Sequence, residues 1–315
     1  MSLESAHHFG TNLVAMVTPM QPDGALDRHG VRRLVEQLLT TGCDGIVVCG
    51  TAGESPTVTD AELASIVEDA ATQVKGRARV IAGVGTYDTA ASIRRARTAE
   101  AAGADALLVV CPYYSMPTQA GIVAHCTAVA DATPLPVMLY DVPARSGTAM
   151  DQSTLLELAL HPKILGVKDA KGDLHQALSV MGQSSLAYYC GIDQLNLAYL
   201  ASGASGMVSV IGNVAADRNA ALIDAVRSGD LVEARTIATE LIPLTEAIMR
   251  TSQGAIMAKE VLAAYGIIAD ATVRLPLLES PPAHTQRLLD ALRSVRRPVP
   301  VPRVRDDLHC VAETR

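Results

Sequence analysis

The chain has 315 residues, of which 49% are hydrophobic and 19% charged, and its formal net charge at pH 7 is -7. This composition excludes a disordered chain, and the acidic charge argues against a nucleic-acid partner or an anionic membrane. A small-molecule substrate fits better. The length suits either one large α/β barrel or two ordinary domains.

The cysteines and the amino terminus indicate a cellular compartment. The six cysteines are scattered, mostly through apolar runs, without a CxxC pair or a metal-ligand spacing, as expected of buried free thiols in a reducing cytosol. Residues 1–10 lack an apolar core of signal-peptide length, and no later run is long enough to span a bilayer. We therefore expect a soluble, cytoplasmic protein.

The first predicted unit is a strand followed by a helix. Residues 13–18 form a short apolar run that Pro19 stops, which indicates a strand. Asp27 then precedes apolar residues at helical spacing as far as Gly42, which indicates a helix with one buried face. Seven similar units follow. The eight predicted strands span residues 13–18, 45–49, 79–84, 106–111, 137–141, 164–168, 187–190 and 206–210. The helices after them span residues 27–42, 60–74, 89–102, 119–131, 151–160, 173–181, 193–201 and 215–227.

The strands are nearly continuous apolar runs, a pattern typical of parallel strands covered on both faces. Eight strand–helix units over residues 10–229 predict a TIM (β/α)8 barrel. The competing architecture is a doubly wound open sheet. Its glycine-rich phosphate loop is missing after the first strand, where Thr18, Pro19 and Met20 stand instead, so the barrel is favoured.

Three more helices are predicted after the barrel, at residues 231–250, 254–265 and 282–295. They make up a C-terminal helical region, residues 230–295. Residues 296–315 are rich in proline, arginine and aspartate and lack helical periodicity, which predicts a disordered tail. Residues 1–9 are predicted to form a flexible leader.

Lys168 ends the sixth predicted strand and is the centre of the functional interpretation. At the edge of a hydrophobic interior the neutral amine is favoured, and a neutral lysine amine is the usual nucleophile for forming a Schiff base with a ketone. The alternative is a lysine that caps the strand and keeps its ammonium group in water. Taken alone, the stretch favours that alternative, because most lysines are solvated.

The ends of the other strands change this balance. In a TIM barrel the active site is built at the C-terminal ends of the strands. Thr51 follows the second strand between two glycines, in a turn whose N–H groups could hold a carboxylate. Tyr140 ends the fifth strand and could transfer protons, and Arg145 offers a fork for a carboxylate. Each has an ordinary structural alternative, but their joint placement favours a reactive Lys168.

Four motifs resemble the dihydrodipicolinate synthase and N-acetylneuraminate lyase family of pyruvate-dependent class I aldolases. They are Gly50-Thr51-Ala52-Gly53-Glu54-Ser55, Pro112-Tyr113-Tyr114, Tyr140-Asp141-Val142-Pro143-Ala144-Arg145 and Gly166-Val167-Lys168-Asp169-Ala170. The resemblance runs from about residue 10 to residue 293. Within the family, the chain looks most similar to dihydrodipicolinate synthases, particularly those of actinobacteria.

The resemblance implies catalytic roles. Lys168 would form the Schiff base with pyruvate. Tyr140, Thr51 and Tyr114 would form a proton relay, with Tyr114 supplied by a neighbouring subunit. Family members are commonly homotetramers built as dimers of dimers. The implied reaction condenses pyruvate with aspartate semialdehyde to 4-hydroxy-tetrahydrodipicolinate, a step of lysine and diaminopimelate biosynthesis, and it needs no cofactor or metal.

The resemblance also implies binding roles. The backbone N–H groups of Thr51 and Ala52 would hold the pyruvate carboxylate, and Arg145 would hold the carboxylate of aspartate semialdehyde. Gly191 and Val208 match backbone positions that line the pocket. The family's usual second threonine is Ala52 here, so one hydroxyl is lost while the backbone donor remains. Handling of the second substrate is therefore expected to suffer more than pyruvate binding.

A second departure concerns feedback by lysine. The positions that match the lysine site of some bacterial enzymes are Asp60, Leu63, Tyr87 and Ala91, which lack the expected histidines, asparagine and acid. Weak or absent inhibition by lysine is therefore expected.

Three other functions stay open at this stage. Ala52 leaves room for another pyruvate-dependent aldolase, lyase or dehydratase acting on a sugar acid or another 2-keto acid, although such a pocket has less need of Arg145. A barrel that binds a keto acid without catalysis is disfavoured by Lys168, Tyr140 and Thr51. A metal-dependent aldolase is disfavoured because no histidine or acid cluster stands at the strand ends.

Overall fold

The computed structural model describes residues 8–294. Within them, eight parallel strands form a closed barrel in which each strand pairs with the next and the last pairs with the first. The strands are β1 Asn12–Ala15, β2 Gly45–Val48, β3 Arg79–Gly83, β4 Ala106–Val110, β5 Val137–Asp141, β6 Ile164–Asp169, β7 Ala187–Cys190 and β8 Gly206–Ser209. The predicted (β/α)8 barrel is confirmed. Residues 1–7 of the predicted leader and all of the predicted tail, 296–315, lie outside the described residues.

Helices cover the outside of the barrel and continue beyond β8. The helices are α1 Arg28–Thr40, α2 Asp60–Val74, α3 Thr89–Ala101, α4 Gln119–Asp131, α5 Pro143–Ser146, α6 Gln152–Leu158, α7 Leu174–Gln183, α8 Asn196–Ala201, α9 Gly212–Arg227, α10 Leu231–Met249, α11 Gly254–Ala264 and α12 Pro282–Ser294. The last three are the predicted C-terminal helices. Residues 8–294 contain no helix with the length and apolarity of a membrane span.

Side-chain caps explain why several helices begin where they do. The Asp27 carboxylate accepts a hydrogen bond from the N–H of Gly30 at the start of α1. Thr59 and Glu62 form a reciprocal capping box before α2, which supplies partners for N–H groups that a helix leaves unpaired.

Two helical segments differ from the prediction. The short helix α5 was not predicted, because four residues are too few to show a helical period. Pro143 presets its first turn, and Gly147, at φ 75°, ends it. The segment after β7 begins as a turn of 3-10 helix, Asp193–Leu195, before α8. These local turns place loop residues at the C-terminal end of the barrel.

Two apolar cores hold the fold together. The larger lies between the strands and the helices, and the smaller fills the inside of the barrel. Phe9, directly before β1, belongs to the inner core and packs edge-on against Tyr189 at a centroid distance of 6.0 Å. The hydroxyl of Tyr189 donates to the carbonyl of Gly10 at 2.8 Å. The inner core thereby closes the amino-terminal end of the barrel, while Ala52 and Tyr140 belong to it at the opposite end.

Candidate active site

Lys168 lies near the end of β6, beside Tyr140 of β5 in the register of the sheet. The two side chains are 4% and 6% exposed. The Nζ atom of Lys168 lies 4.2 Å from the centroid of the Tyr140 ring. Within residues 8–294 the amine has no hydrogen bond and no salt bridge, so it is not engaged in a structural ion pair. This buried amine is available to a ligand at the C-terminal end of the barrel.

The residue after the candidate nucleophile is a buried carboxylate with four hydrogen-bond donors. One oxygen of Asp169 accepts from the N–H groups of Lys171 at 2.8 Å and Gly172 at 3.1 Å. The other accepts from the hydroxyls of Tyr188 and Tyr199, both at 3.1 Å. Burial and this carboxylate raise the pKa of both tyrosines, so they stay protonated donors. Asp169 therefore fixes the end of β6. Its only sequence signal was an acid directly after the predicted strand 164–168, and sequence reasoning gave it no role.

Gly191 lies against the stem of the candidate nucleophile. Its N–H donates to the carbonyl of Asp169 at 2.7 Å. A Cβ atom at this position would lie 2.9 Å from that carbonyl oxygen and 3.1 Å from Cγ of Lys168. Only glycine allows β7 to end this close to the lysine. Val208 of β8 is buried in the inner core together with Ala52.

The loop after β2 presents two backbone donors. The carbonyl of Gly50 accepts from the N–H groups of Gly53 at 3.0 Å and Ser55 at 3.2 Å, which folds the loop into a tight turn. The N–H groups of Thr51 and Ala52 donate to nothing within residues 8–294. Adjacent backbone N–H groups of this kind form an anion-binding concavity. The turn therefore offers a seat for a carboxylate.

Thr51 and Tyr140 share one small cavity. They line it together with Ser55, and its volume is about 20 Å³. The structure thus brings Lys168, Tyr140 and Thr51 to one end of the barrel, since Lys168 lies against the Tyr140 ring and Tyr140 lines one cavity with the loop.

Arg145 and Tyr114 stand apart from this group. Arg145 is exposed on α5, and its guanidinium forms no hydrogen bond or salt bridge within residues 8–294. Tyr114 is 92% exposed, so its side chain contacts almost nothing of its own chain. Its backbone is left-handed, with φ 68°. Tyr87 and Met116, which are 61% and 60% exposed, are further large apolar side chains that the fold leaves at the surface.

Asp141, directly after Tyr140, is a buried carboxyl group. It is 2% exposed and accepts a hydrogen bond from the N–H of Met150 at 3.2 Å. The Nζ atom of Lys171 lies 3.9 Å away. Burial raises the pKa of Asp141 from its usual 3.8 to about 6, since these partners only partly offset the loss of hydration.

We expect Asp141→Asn to change the pH dependence of stability. The native state holds the Asp141 proton more tightly than the unfolded chain, so this stabilisation is complete below about pH 4 and is lost as the pH rises through about 6. Asparagine cannot ionise. The variant therefore does not lose this stabilisation as the pH rises. The difference in the free energy of unfolding, variant minus wild type, should increase by about 2 kcal/mol between pH 4 and pH 7. Urea unfolding across this range measures it, and a difference that does not vary with pH would contradict the assignment.

A family model agrees with this geometry. The model of the dihydrodipicolinate synthetase family matches residues 8–295. The chain belongs to this family. A curated relative, 4-hydroxy-tetrahydrodipicolinate synthase from Mycolicibacterium paratuberculosis, is 48% identical over 295 residues, covering 93% of this chain and 97% of the relative.

Solved structures of the dihydrodipicolinate synthetase family share the fold. Dihydrodipicolinate synthase from Bacillus anthracis superposes with a TM-score of 0.89 at 35% identity, covering 92% of this chain and 99% of that one. The enzyme from Cyanidioschyzon merolae, solved with lysine bound, has a TM-score of 0.88 at 34% identity, covering 91% and 98%. The family resemblance seen in the four motifs is therefore confirmed.

Proposed function

We propose that this protein condenses pyruvate with aspartate semialdehyde to 4-hydroxy-tetrahydrodipicolinate through a Schiff base on Lys168. The observation that carries the proposal is the buried Lys168 amine, which lies on the Tyr140 ring and has no structural ion pair within residues 8–294. The curated relative from Mycolicibacterium paratuberculosis carries the name of this activity. The reaction uses only side chains and backbone groups of the protein.

Pyruvate binds first. Its carboxylate accepts hydrogen bonds from the free N–H groups of Thr51 and Ala52. The nitrogen of Lys168 attacks the keto carbon, and the keto oxygen leaves as water to give the imine. The hydroxyls of Tyr140 and Thr51 carry the protons between the amine and the departing oxygen, and Tyr114 of a neighbouring subunit continues the relay.

The second substrate then adds to the enamine. Loss of a methyl proton from the imine gives a nucleophilic carbon, which attacks the aldehyde carbon of aspartate semialdehyde. The amino group of that substrate next attacks the imine carbon, closes the ring and displaces Lys168. Arg145 holds the carboxylate of aspartate semialdehyde with its guanidinium fork.

The assembly and the cellular site are part of the proposal. Tyr114, with 92% of its side chain exposed, becomes useful only when a second subunit receives it. A dimer of dimers supplies that subunit. Five cysteines within residues 8–294 are free thiols, which suits the reducing cytoplasm.

A substrate panel tests the reaction. Wild-type protein is assayed with pyruvate and aspartate semialdehyde, and in parallel with N-acetylneuraminate and with 2-keto-3-deoxy sugar acids. Turnover of aspartate semialdehyde that exceeds turnover of every sugar acid is expected. Preferential cleavage of a sugar acid would instead favour the second candidate, a sugar-acid aldolase or lyase, which the small Ala52 side chain keeps open.

We expect Arg145→Met to weaken the binding of aspartate semialdehyde but not that of pyruvate. Loss of a bidentate charged contact should raise the KM for aspartate semialdehyde by roughly tenfold or more, while the KM for pyruvate stays within about twofold. Initial rates with each substrate varied in turn measure the split. Arg250→Met is the control, since Arg250 is an exposed arginine at the end of α10 that pairs with Glu246 of the same helix. Equal changes in both KM values would contradict the role of Arg145.

We expect weak or no inhibition by lysine. Leu63 is fully buried in the outer core, and Tyr87 packs edge-on against Tyr113 at a centroid distance of 5.4 Å. Asp60, the charged residue of the four positions, has its carboxylate 3.6 Å from the guanidinium of Arg95, and Leu63, Tyr87 and Ala91 carry no charged or amide side chain that would bind an amino acid. Rates at saturating pyruvate, measured with millimolar lysine, check this. A steep dose response to lysine would overturn it.

A further inference from the structure

Glu54 belongs to the loop that carries Thr51 and Ala52, and it is buried in an unusual backbone conformation. Its side chain is 1% exposed, and its φ is 56°. Its N–H donates directly to the carbonyl of Thr51 at 3.2 Å. Cys49, on the other side of the loop, is also left-handed, with φ 52°. A left-handed backbone is unfavourable for residues other than glycine. Cys49 and Glu54 therefore keep it only because the surrounding structure holds them in place.

The surroundings of Glu54 come from the C-terminal helical region. Its Oε1 atom lies 2.5 Å from the Nζ atom of Lys259, which is fully buried in α11. Lys259 also donates to the carbonyl of Thr272 at 2.7 Å. The second carboxylate oxygen of Glu54 accepts from the N–H of Arg274 at 2.9 Å. Burial lowers the pKa of Lys259, and the Glu54 carboxylate opposes this change. Each buried charge is therefore balanced by the other.

Arg274 fixes the same loop at a second point. Its guanidinium donates to the carbonyl of Thr57 at 2.7 Å and to the carbonyl of Gly24 at 2.8 Å. It also pairs with Glu62 at the start of α2. The Arg274 guanidinium lowers the pKa of Glu62 to about 2. The loop between β2 and α2 is thus held by contacts to both carboxylate oxygens of Glu54 and to the carbonyl of Thr57.

We infer that Glu54 and Lys259 are positioning residues that hold the backbone N–H groups of Thr51 and Ala52 in place for pyruvate, so that the C-terminal helical region supports the active-site loop. The inference builds on the carboxylate-binding role proposed for these N–H groups. A buried ion pair is a weak source of stability, because its desolvation offsets most of the attraction. It fixes geometry here through its hydrogen bonds, which join the Glu54 side chain to Lys259 and to the backbone of Arg274.

The double variant Glu54→Gln/Lys259→Met tests the inference without leaving a buried unpaired charge. The amide oxygen of the glutamine can still accept from the N–H of Arg274, but its NH2 group and the carbonyl of Thr272 no longer have the lysine as a partner. The KM for pyruvate should rise about tenfold and kcat should fall by roughly 10- to 100-fold, because a small displacement of binding groups is costly. The KM for aspartate semialdehyde should stay within about twofold, since Arg145 lies on α5, after a different strand.

Glu240→Gln is the matched control. Glu240 pairs with Arg218 at 2.5 Å between α10 and α9, with side chains that are 17% and 12% exposed, away from the loop after β2. This variant should lose stability but keep both KM values and kcat. A folded double variant with wild-type kinetics would overturn the inference, and so would a Glu240→Gln variant with the same rise in the pyruvate KM.

Amide hydrogen exchange supplies a test that needs no substrate. Peptides that cover residues 50–57 should exchange roughly tenfold faster in the double variant than in wild type or in Glu240→Gln. Unchanged exchange in this loop would contradict the inference. A wild-type protein that forms no reduced adduct with pyruvate would instead contradict the proposed function, and the exchange result would still decide whether Glu54 and Lys259 hold the loop.

Discussion

Lys168→Arg should abolish both turnover and the covalent capture of pyruvate. Arginine keeps a long, basic side chain but stays protonated at every accessible pH, so it cannot attack a ketone. We expect kcat/KM to fall by at least ~10³-fold, because no other group of the pocket replaces the nucleophile. Borohydride reduction in the presence of pyruvate, followed by peptide mass spectrometry, should place the adduct on Lys168 in wild type and find none in the variant.

Lys163→Arg is the control for this experiment. Lys163 directly precedes β6, at the opposite end of the strand from the site, and its Nζ atom donates to the carbonyl of Thr133 at 2.8 Å. This variant should trap pyruvate like wild type. An adduct that persists in Lys168→Arg, or that maps to another lysine, would contradict the assignment. Wild-type protein that binds pyruvate but forms no adduct would favour a barrel that binds a keto acid without catalysis.

The barrel was predictable because its signals are local and repeated. Each strand is a short apolar run, and capping residues such as Asp27 and Thr59 stand directly before the helices that they begin. The helix α5 was not predicted, because a segment of four residues cannot show the helical period of 3.6 residues. Its only signals are Pro143 at the start and Gly147 at the end.

The contact between Lys168 and Tyr140 was predictable for a related reason. Strands that follow each other in a parallel barrel are neighbours, so residues at their C-terminal ends meet. The register places these two residues side by side. The placement of Tyr114 follows a different rule. The role proposed for it needs a second subunit, and the sequence of one chain does not specify where that subunit docks.

The pairing of Glu54 with Lys259 could not be predicted from the sequence. The two residues are 205 positions apart in the sequence. A lysine inside a segment as apolar as Ala255, Ile256, Met257 and Ala258 was the only available hint. Long-range polar contacts of this kind depend on how the C-terminal helices pack, which local patterns do not encode.

Tyr140→Phe should distinguish a role of the Tyr140 hydroxyl in proton transfer from a role of its ring in shaping the pocket. Phenylalanine keeps the ring on which the Lys168 amine lies, 4.2 Å from the centroid, and removes only the hydroxyl. We expect kcat to fall by roughly 10²- to 10³-fold, since a positioned acid–base group contributes about this much. The KM for pyruvate should change by less than about threefold, because the carboxylate contacts proposed for Thr51 and Ala52 do not involve this hydroxyl. Steady-state kinetics and the rate of borohydride trapping measure the two effects.

Tyr189→Phe is the matched control, because tyrosines flank Lys168 in the register on both neighbouring strands. Tyr140 pairs with it from β5 and Tyr189 from β7. The hydroxyl of Tyr189 donates to the carbonyl of Gly10 at the closed end of the barrel, so its loss should cost about 1 kcal/mol of stability without slowing turnover. If both variants lose the same activity, the effect of Tyr140 is one of packing. If only Tyr140→Phe slows the reaction, the hydroxyl beside Lys168 moves the proton.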